Sequence, residues 1–163
     1  MRTTLTATAL ATAALAAAVL GSWSPAAAQD PAARTLAFTE LEKGSTFTHV
    51  RNTKTKSQRS NNQGDLIVFT NPIADGSGKV VGKLQIQCVT TTGSPNFLKS
   101  TAACTGSMVI PGGTLTLQAL VRPGVAATNG AITGGTGAYA NARGTFVSVE
   151  RKGGSDDTIT LAG

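Results

Sequence analysis

The dominant hydrophobic period along this chain is two residues, the repeat of a strand with one covered face. Over residues 82–90, Leu84, Ile86 and Cys88 share one face and Lys83, Gln85 and Gln87 the other. Over 114–121, Leu115, Leu117, Ala119 and Val121 oppose Thr114, Thr116 and Gln118. Val147 and Val149 alternate with Phe146 and Ser148, and Ile159 and Leu161 with Thr158 and Thr160. Residues 66–69 form a short continuous apolar run, as in a strand covered on both sides. No window after residue 29 has the period of an amphipathic helix.

Turn chemistry punctuates these runs. Asp75-Gly76-Ser77-Gly78, the stretch Thr92-Gly93-Ser94-Pro95-Asn96, Pro111-Gly112-Gly113, Asn129-Gly130 and Lys152-Gly153-Gly154-Ser155 all read as connections. The pattern predicts eight strands near 34–41, 45–51, 64–72, 79–90, 101–110, 113–122, 142–150 and 156–162, with a short extended piece near 129–133. So many short antiparallel strands in one domain mean a sandwich or a closed barrel. The last strand can pair with the first and remove the open edges. Eight strands leave an interior that side chains fill or that holds one small ligand.

Residues 1–28 read differently. Arg2 precedes an Ala/Leu/Thr/Val run, which Gly21 and Pro25 break, and Ala26-Ala27-Ala28 supplies small residues for a peptidase. This predicts a cleaved secretory signal rather than a membrane span, for which the apolar run is too short. The remainder, residues 29–163, is one domain of an exported protein, and the only tryptophan, Trp23, is lost with the leader. Thirteen Lys and Arg against eight Asp and Glu leave the mature chain at +5.

Part of that charge is local: Arg51, Lys54, Lys56 and Arg59 sit among Asn, Thr, Ser and Gln. Such a segment reads as a solvated loop, or as a contact for an anionic polymer. No aromatic is interleaved for base stacking, so nucleic acid is not the expected partner. In an exported chain the two cysteines, Cys88 and Cys104, read as a disulfide, with a free thiol as the alternative. His49 is the only histidine, read as a surface strand residue, and no Cys/His/Asp/Glu cluster has metal-ligand spacing. Neither metal nor cofactor is expected.

Residues 135–140, Gly-Thr-Gly-Ala-Tyr-Ala, match the dinucleotide-binding fingerprint G-x-G-x-x-[GA]. That fingerprint needs a helix after the glycine turn, and a strand already begins near Thr145. The glycines read instead as positive-φ turns and close backbone packing at a barrel corner.

Three segments, GDLIVFTN at 64–71, VGKLQIQCVT at 81–90 and AITGGTGAYANARG at 131–144, together resemble the allene oxide cyclase and dirigent superfamily. The resemblance spans roughly residues 36–162. It implies an all-β, eight-stranded antiparallel barrel with a mainly apolar cavity that needs no cofactor. Its plant members cyclise an unstable allene oxide or steer phenoxy-radical coupling, and bacterial relatives catalyse cycloadditions. It implies a small hydrophobic or phenolic ligand and, from the plant relatives, a homotrimer.

Carried over by residue, the resemblance makes Asn71 a holder of the substrate-side water and Phe69 an aromatic wall. Cys88 becomes a pocket cysteine and Arg143 the dirigent arginine, while Tyr139 is a candidate for the cavity mouth. Asn71 and Arg143 are the catalytic candidates. The first-strand acid of the cyclases falls at Ala37, with Thr39 in place of its Asn and Glu40 on the opposite face. The dirigent acid after GGTG is replaced by Ala138, and the acid after the 64–71 strand by Asn71-Pro72. The expected function is an exported barrel that binds a small apolar molecule, as a cyclase, isomerase or stereochemical guide. A lipocalin-like carrier and a cell-envelope interaction protein are the competing readings.

Overall fold

The structure is a computed structural model describing residues 33–52 and 61–162. The leader expected at 1–28 lies outside the described residues, as do Lys54, Lys56 and Arg59 of the basic segment. Nine strands follow in order: β1 Arg34–Leu41, β2 Thr46–Val50, β3 Leu66–Ala74, β4 Val80–Thr92, β5 Thr101–Ile110, β6 Gly113–Val121, β7 Ala127–Gly137, β8 Gly144–Arg151 and β9 Gly154–Leu161. One 3-10 turn, Phe97–Lys99, is capped by the Asn96 side chain accepting from the Leu98 N–H.

Every pairing is antiparallel. The sheet runs β1-β9-β8-β7-β6-β5-β4-β3-β2 and closes through β1–β3. β1 and β2 both lie against β3, β2 at Leu66–Thr70 and β1 at Ile73–Ala74, so the two act as one interrupted strand. Counted this way, the closed barrel has eight strands, and the pairing of β9 with β1 removes the edges.

Register explains the core. One inward row runs through Ile67, Cys88, Cys104, Ala119, Gly130, Phe146, Ile159 and Leu36, each opposite the next across neighbouring strands. The buried apolar side chains form one cluster that includes Ile73, Leu84, Ile86, Met108, Leu115, Leu117 and Ile132. Cys88 and Cys104 sit directly opposite each other and are joined as a disulfide. A loop of that length contributes roughly 3 kcal/mol by restricting the unfolded chain.

Three local expectations change. Asn129-Gly130 is no turn, and the piece near 129–133 is the middle of the eleven-residue strand β7. Gly130 is needed there because a Cβ would sit 2.2 Å from the Phe146 ring. The GGTG run ends that same strand, and only its last glycine, Gly137, has positive φ, at 62°. The run 66–69 is covered on one side only: Ile67 is buried, but Val68 faces out and is 39% exposed.

Candidate functional site

The barrel encloses a cavity of about 410 Å³. Its walls are apolar: Phe69, Leu84, Ile86, Met108, Leu117, Phe146, Ile159 and the Cys88–Cys104 disulfide. One side is polar, formed by Glu40, Asn71, Ser148, Ser155 and Asp157. Exposed Glu42, Ser45, Glu150 and Arg151 line its outer part. A second, shallower concavity of about 530 Å³ lies over β3–β7, lined by Thr, Gln and Ser together with Val68, Phe69, Ile86 and Leu117, and by no titratable group among the described residues.

The period of two positions the polar side. On β1, Leu36 and Phe38 pack on the core and Glu40 follows at the same parity, only 8% exposed. On β9, Asp157 shares parity with Ile159 and Leu161 and is 3% exposed. Phe38 pairs with Asp157 and Asp157 with Ser148, while Glu40 pairs with Ser155. Asn71, mid-strand on β3, donates its amide to Glu40 Oε2 at 2.7 Å.

The two carboxylates differ in what supports them. Glu40 is pushed above its ordinary range by burial, with Asn71's hydrogen bond working the other way. Asp157 is pushed up to about 8, first by burial and then by the charge of Glu40. Neither of its oxygens has a well-formed hydrogen-bond partner, although Ser148 and Glu40 face it closely enough to influence its charge. Two facing buried acids cannot both ionise cheaply, so at neutral pH the pair holds one proton between them. Asn71 supports the ionised form of Glu40, which leaves the proton on Asp157.

The sequence-predicted residues divide into two groups. Phe69, Asn71 and Cys88 line the cavity. Tyr139 and Arg143 do not. Tyr139 lies in the β7–β8 connection, buried on the glycine-rich end, and its hydroxyl donates to the Pro111 carbonyl at 3.0 Å. Arg34 stacks its guanidinium 5.5 Å from that ring. Arg143 is exposed and donates to the neighbouring Ala142 carbonyl at 2.7 Å.

Ala37 and Thr39 point away from the cavity, Thr39 donating to Asp156 outside. The acid of the first strand that does face the cavity is Glu40, three residues on from Ala37. His49 is not a surface residue: its side chain is 12% exposed and its Nε2 lies 3.0 Å from Asp65. Sequence reasoning missed Asp157, Ser148, Ser155 and Glu150, although strand parity alone would have placed Asp157 with Ile159 and Leu161.

Among the described residues no group of His, Cys, Asp and Glu is arranged to hold a metal, and no helix is long and apolar enough to cross a membrane. The profile described as allene oxide cyclase barrel like domain matches residues 45–153. No curated protein matches in sequence. Among solved structures, a pyocyanin demethylase superposes with a TM-score of 0.64 at 22% identity, over 78% of this chain and 99% of that one. The pterocarpan synthase dirigent protein GePTS1 gives 0.60 at 21%, over 80% and 83%. The Diels–Alderase AbmU from Streptomyces koyangensis gives 0.56 at 12%, over 84% and 70%. At such identities the likeness carries the fold.

Proposed function

The chain belongs to the allene oxide cyclase barrel-like family, and from that premise we propose that it is an exported barrel which binds one small, mostly apolar molecule and isomerises or cyclises it without a cofactor. One observation carries the reading. The otherwise apolar cavity holds a buried carboxyl, Asp157, with no well-formed hydrogen-bond partner, facing a second carboxyl that Asn71 orients. A passive carrier has no use for such a pair, since burying it costs stability. Cyclase and dirigent neighbours, together with a pyocyanin demethylase, support a reactive small molecule as the guest.

The chemistry follows from the proton count. Asp157 gives its proton to a substrate oxygen as a C–O bond opens or a carbonyl is polarised. Glu40 takes a proton released when the new bond forms. Transfer from Glu40 to Asp157 then restores the pair, and the substrate has changed its bonding but not its composition. Phe69, Phe146 and Met108 hold the apolar body in one conformation, and such orientation supplies stereocontrol and much of the rate.

The test starts with native mass spectrometry of the exported protein for a co-purified small molecule. Incubation with fatty-acid epoxides, phenols and polyenes follows, with products resolved on a chiral column. The expected result is one enantiomer in excess, lost in Asp157→Asn while binding persists. Racemic product at the uncatalysed rate across the panel, with a ligand still bound, would return the protein to the carrier reading.

A further inference from the structure

The charge census of the cavity does not follow that of the chain. The chain as a whole is basic, at +6. Yet four of its eight carboxylates, Glu40, Glu42, Glu150 and Asp157, line this one cavity. Among the described residues its only lining cation, Arg151, already has a partner: its Nε donates to Asp156 at 2.8 Å. The acids are also graded by depth. Glu42 and Glu150 are exposed on the outer part, whereas Glu40 and Asp157 are buried.

Elsewhere the fold shows how it satisfies a carboxylate that is merely structural: Asp65 accepts from two backbone N–H groups and a ring nitrogen. Asp157 is as buried and has no such donors. Among the described residues the groups facing it are Glu40 from β1 and Ser148 from β8, with Asp156 beside it on β9 and no cation. An anionic guest would face the buried acids while Arg151 is already paired with Asp156, and a neutral apolar guest would bring the Asp157 oxygens no donor beyond Ser148 and the proton shared with Glu40. A guest with a positive centre satisfies them, and its apolar body then lies against Phe69 and Phe146, whose ring faces also favour cations.

We propose that the cavity is built for a cationic, largely apolar molecule, with an aromatic or aliphatic body on the Phe69–Phe146 side and a positively charged nitrogen against Asp157 and Glu40. This rests on the ligand-barrel reading above and narrows its substrate class. The exposed carboxylates draw the cation towards the opening, and the buried pair holds it. Binding expels the proton that the pair otherwise shares. For such a guest the proton donation by Asp157 described above is replaced: the ionised pair serves as the base towards an acidic C–H or N–H of the cation.

Three probes of matched shape test it by calorimetry at pH 7: N-methylquinolinium, 1-methylnaphthalene and 1-naphthoate. The expected order is cation first by at least tenfold, then the neutral hydrocarbon, with the anion undetectable. Repeating the cation titration in buffers of different ionisation enthalpy should reveal proton release, up to one per cation bound. Glu40→Gln/Asp157→Asn, checked for an intact fold by circular dichroism, should bring cation and hydrocarbon to equal affinity. Equal binding of cation and hydrocarbon by the unaltered protein overturns the cationic substrate class and leaves the apolar cavity reading standing. Cation preference without proton release overturns the assignment to Asp157 and Glu40. Binding of none of the three overturns this inference and the ligand-barrel reading together.

Discussion

Two aspartates in this barrel are almost equally buried and are treated in opposite ways. Asp65, fully buried at the start of β3, accepts from the Asn52 N–H at 2.7 Å, the Asn62 N–H at 2.9 Å and His49 Nε2 at 3.0 Å. An ionised carboxylate only accepts, so the His49 nitrogen facing it carries the hydrogen. Burial alone would push Asp65 up, but these donors hold it below its ordinary range. Asp157, 3% exposed on the cavity wall, has no well-formed partner and is pushed up to about 8. The first carboxylate ties down both ends of the 52–62 segment. The second is left unsatisfied in a space large enough for a guest. Burial does not separate a structural acid from a functional one; the supply of donors does.

The largest effect expected from breaking this comparison is at Asp65. Asp65→Ala leaves two N–H groups and the His49 ring without their acceptor and should cost about 3–5 kcal/mol, read by urea unfolding at pH 7. The pH dependence has a defined sign. A carboxylate held low in the fold contributes stability above its unfolded value, near 3.8, and loses it as pH falls through the folded value. The native protein should therefore lose the Asp65 contribution on acidification, and the Ala variant should lack that part of the acid slope. A variant as stable as the native chain would mean that solvent replaces these bonds without cost.

Asp157 should behave in the reverse sense, and more modestly. Its raised value makes the folded state the better proton binder between about pH 4 and 8. Its contribution is complete below the unfolded value and is lost as pH rises through the folded one. Asp157→Asn removes the charge while keeping the shape. It should stabilise the protein by about 1–4 kcal/mol at pH 8 and little at pH 4, measured by thermal melts across that range. Gain of stability together with loss of turnover would mark the residue as kept for function. A destabilised Asn variant at pH 8 would mean that Asp157 has donors in solution and belongs with Asp65.

Much of the fold was legible because a strand with one covered face writes its period into the sequence. The faces of β4, β6 and β9 follow from Leu84, Leu115 and Ile159 and their alternating neighbours. β7 was obscured because its glycines serve packing: Gly130 gives way to the Phe146 ring, and a Cβ at Gly135 would sit 2.4 Å from the Tyr139 carbonyl oxygen. The polar side of the cavity was obscured for a related reason. Glu40 and Asp157 occupy inward positions of regular strands, where the pattern calls for apolar side chains, so the alternation did not mark them as a pair. Local agreement between pattern and burial breaks down most informatively at a site. Conversely, Arg143 stood out as a charged residue after a glycine motif, yet the connection that carries it turns the side chain to solvent.

Arg143 gives the smallest predicted effect and sharpens the comparison from outside the cavity. It is exposed, and its guanidinium donates to the carbonyl of the adjacent residue. Removing it leaves no buried group unsatisfied, because the Ala142 carbonyl stays within reach of water. Arg143→Ala should therefore change stability by no more than about 0.5 kcal/mol in urea unfolding. Cation affinity should stay within twofold, because the arginine lies outside the lining of the cavity. The neighbouring Tyr139 supplies the control. Tyr139→Phe loses the buried bond to the Pro111 carbonyl and should cost about 1 kcal/mol, also without changing affinity. A tenfold loss of affinity in Arg143→Ala with the melt unchanged would move the binding site to the glycine-rich end and make the resemblance at that arginine a functional one.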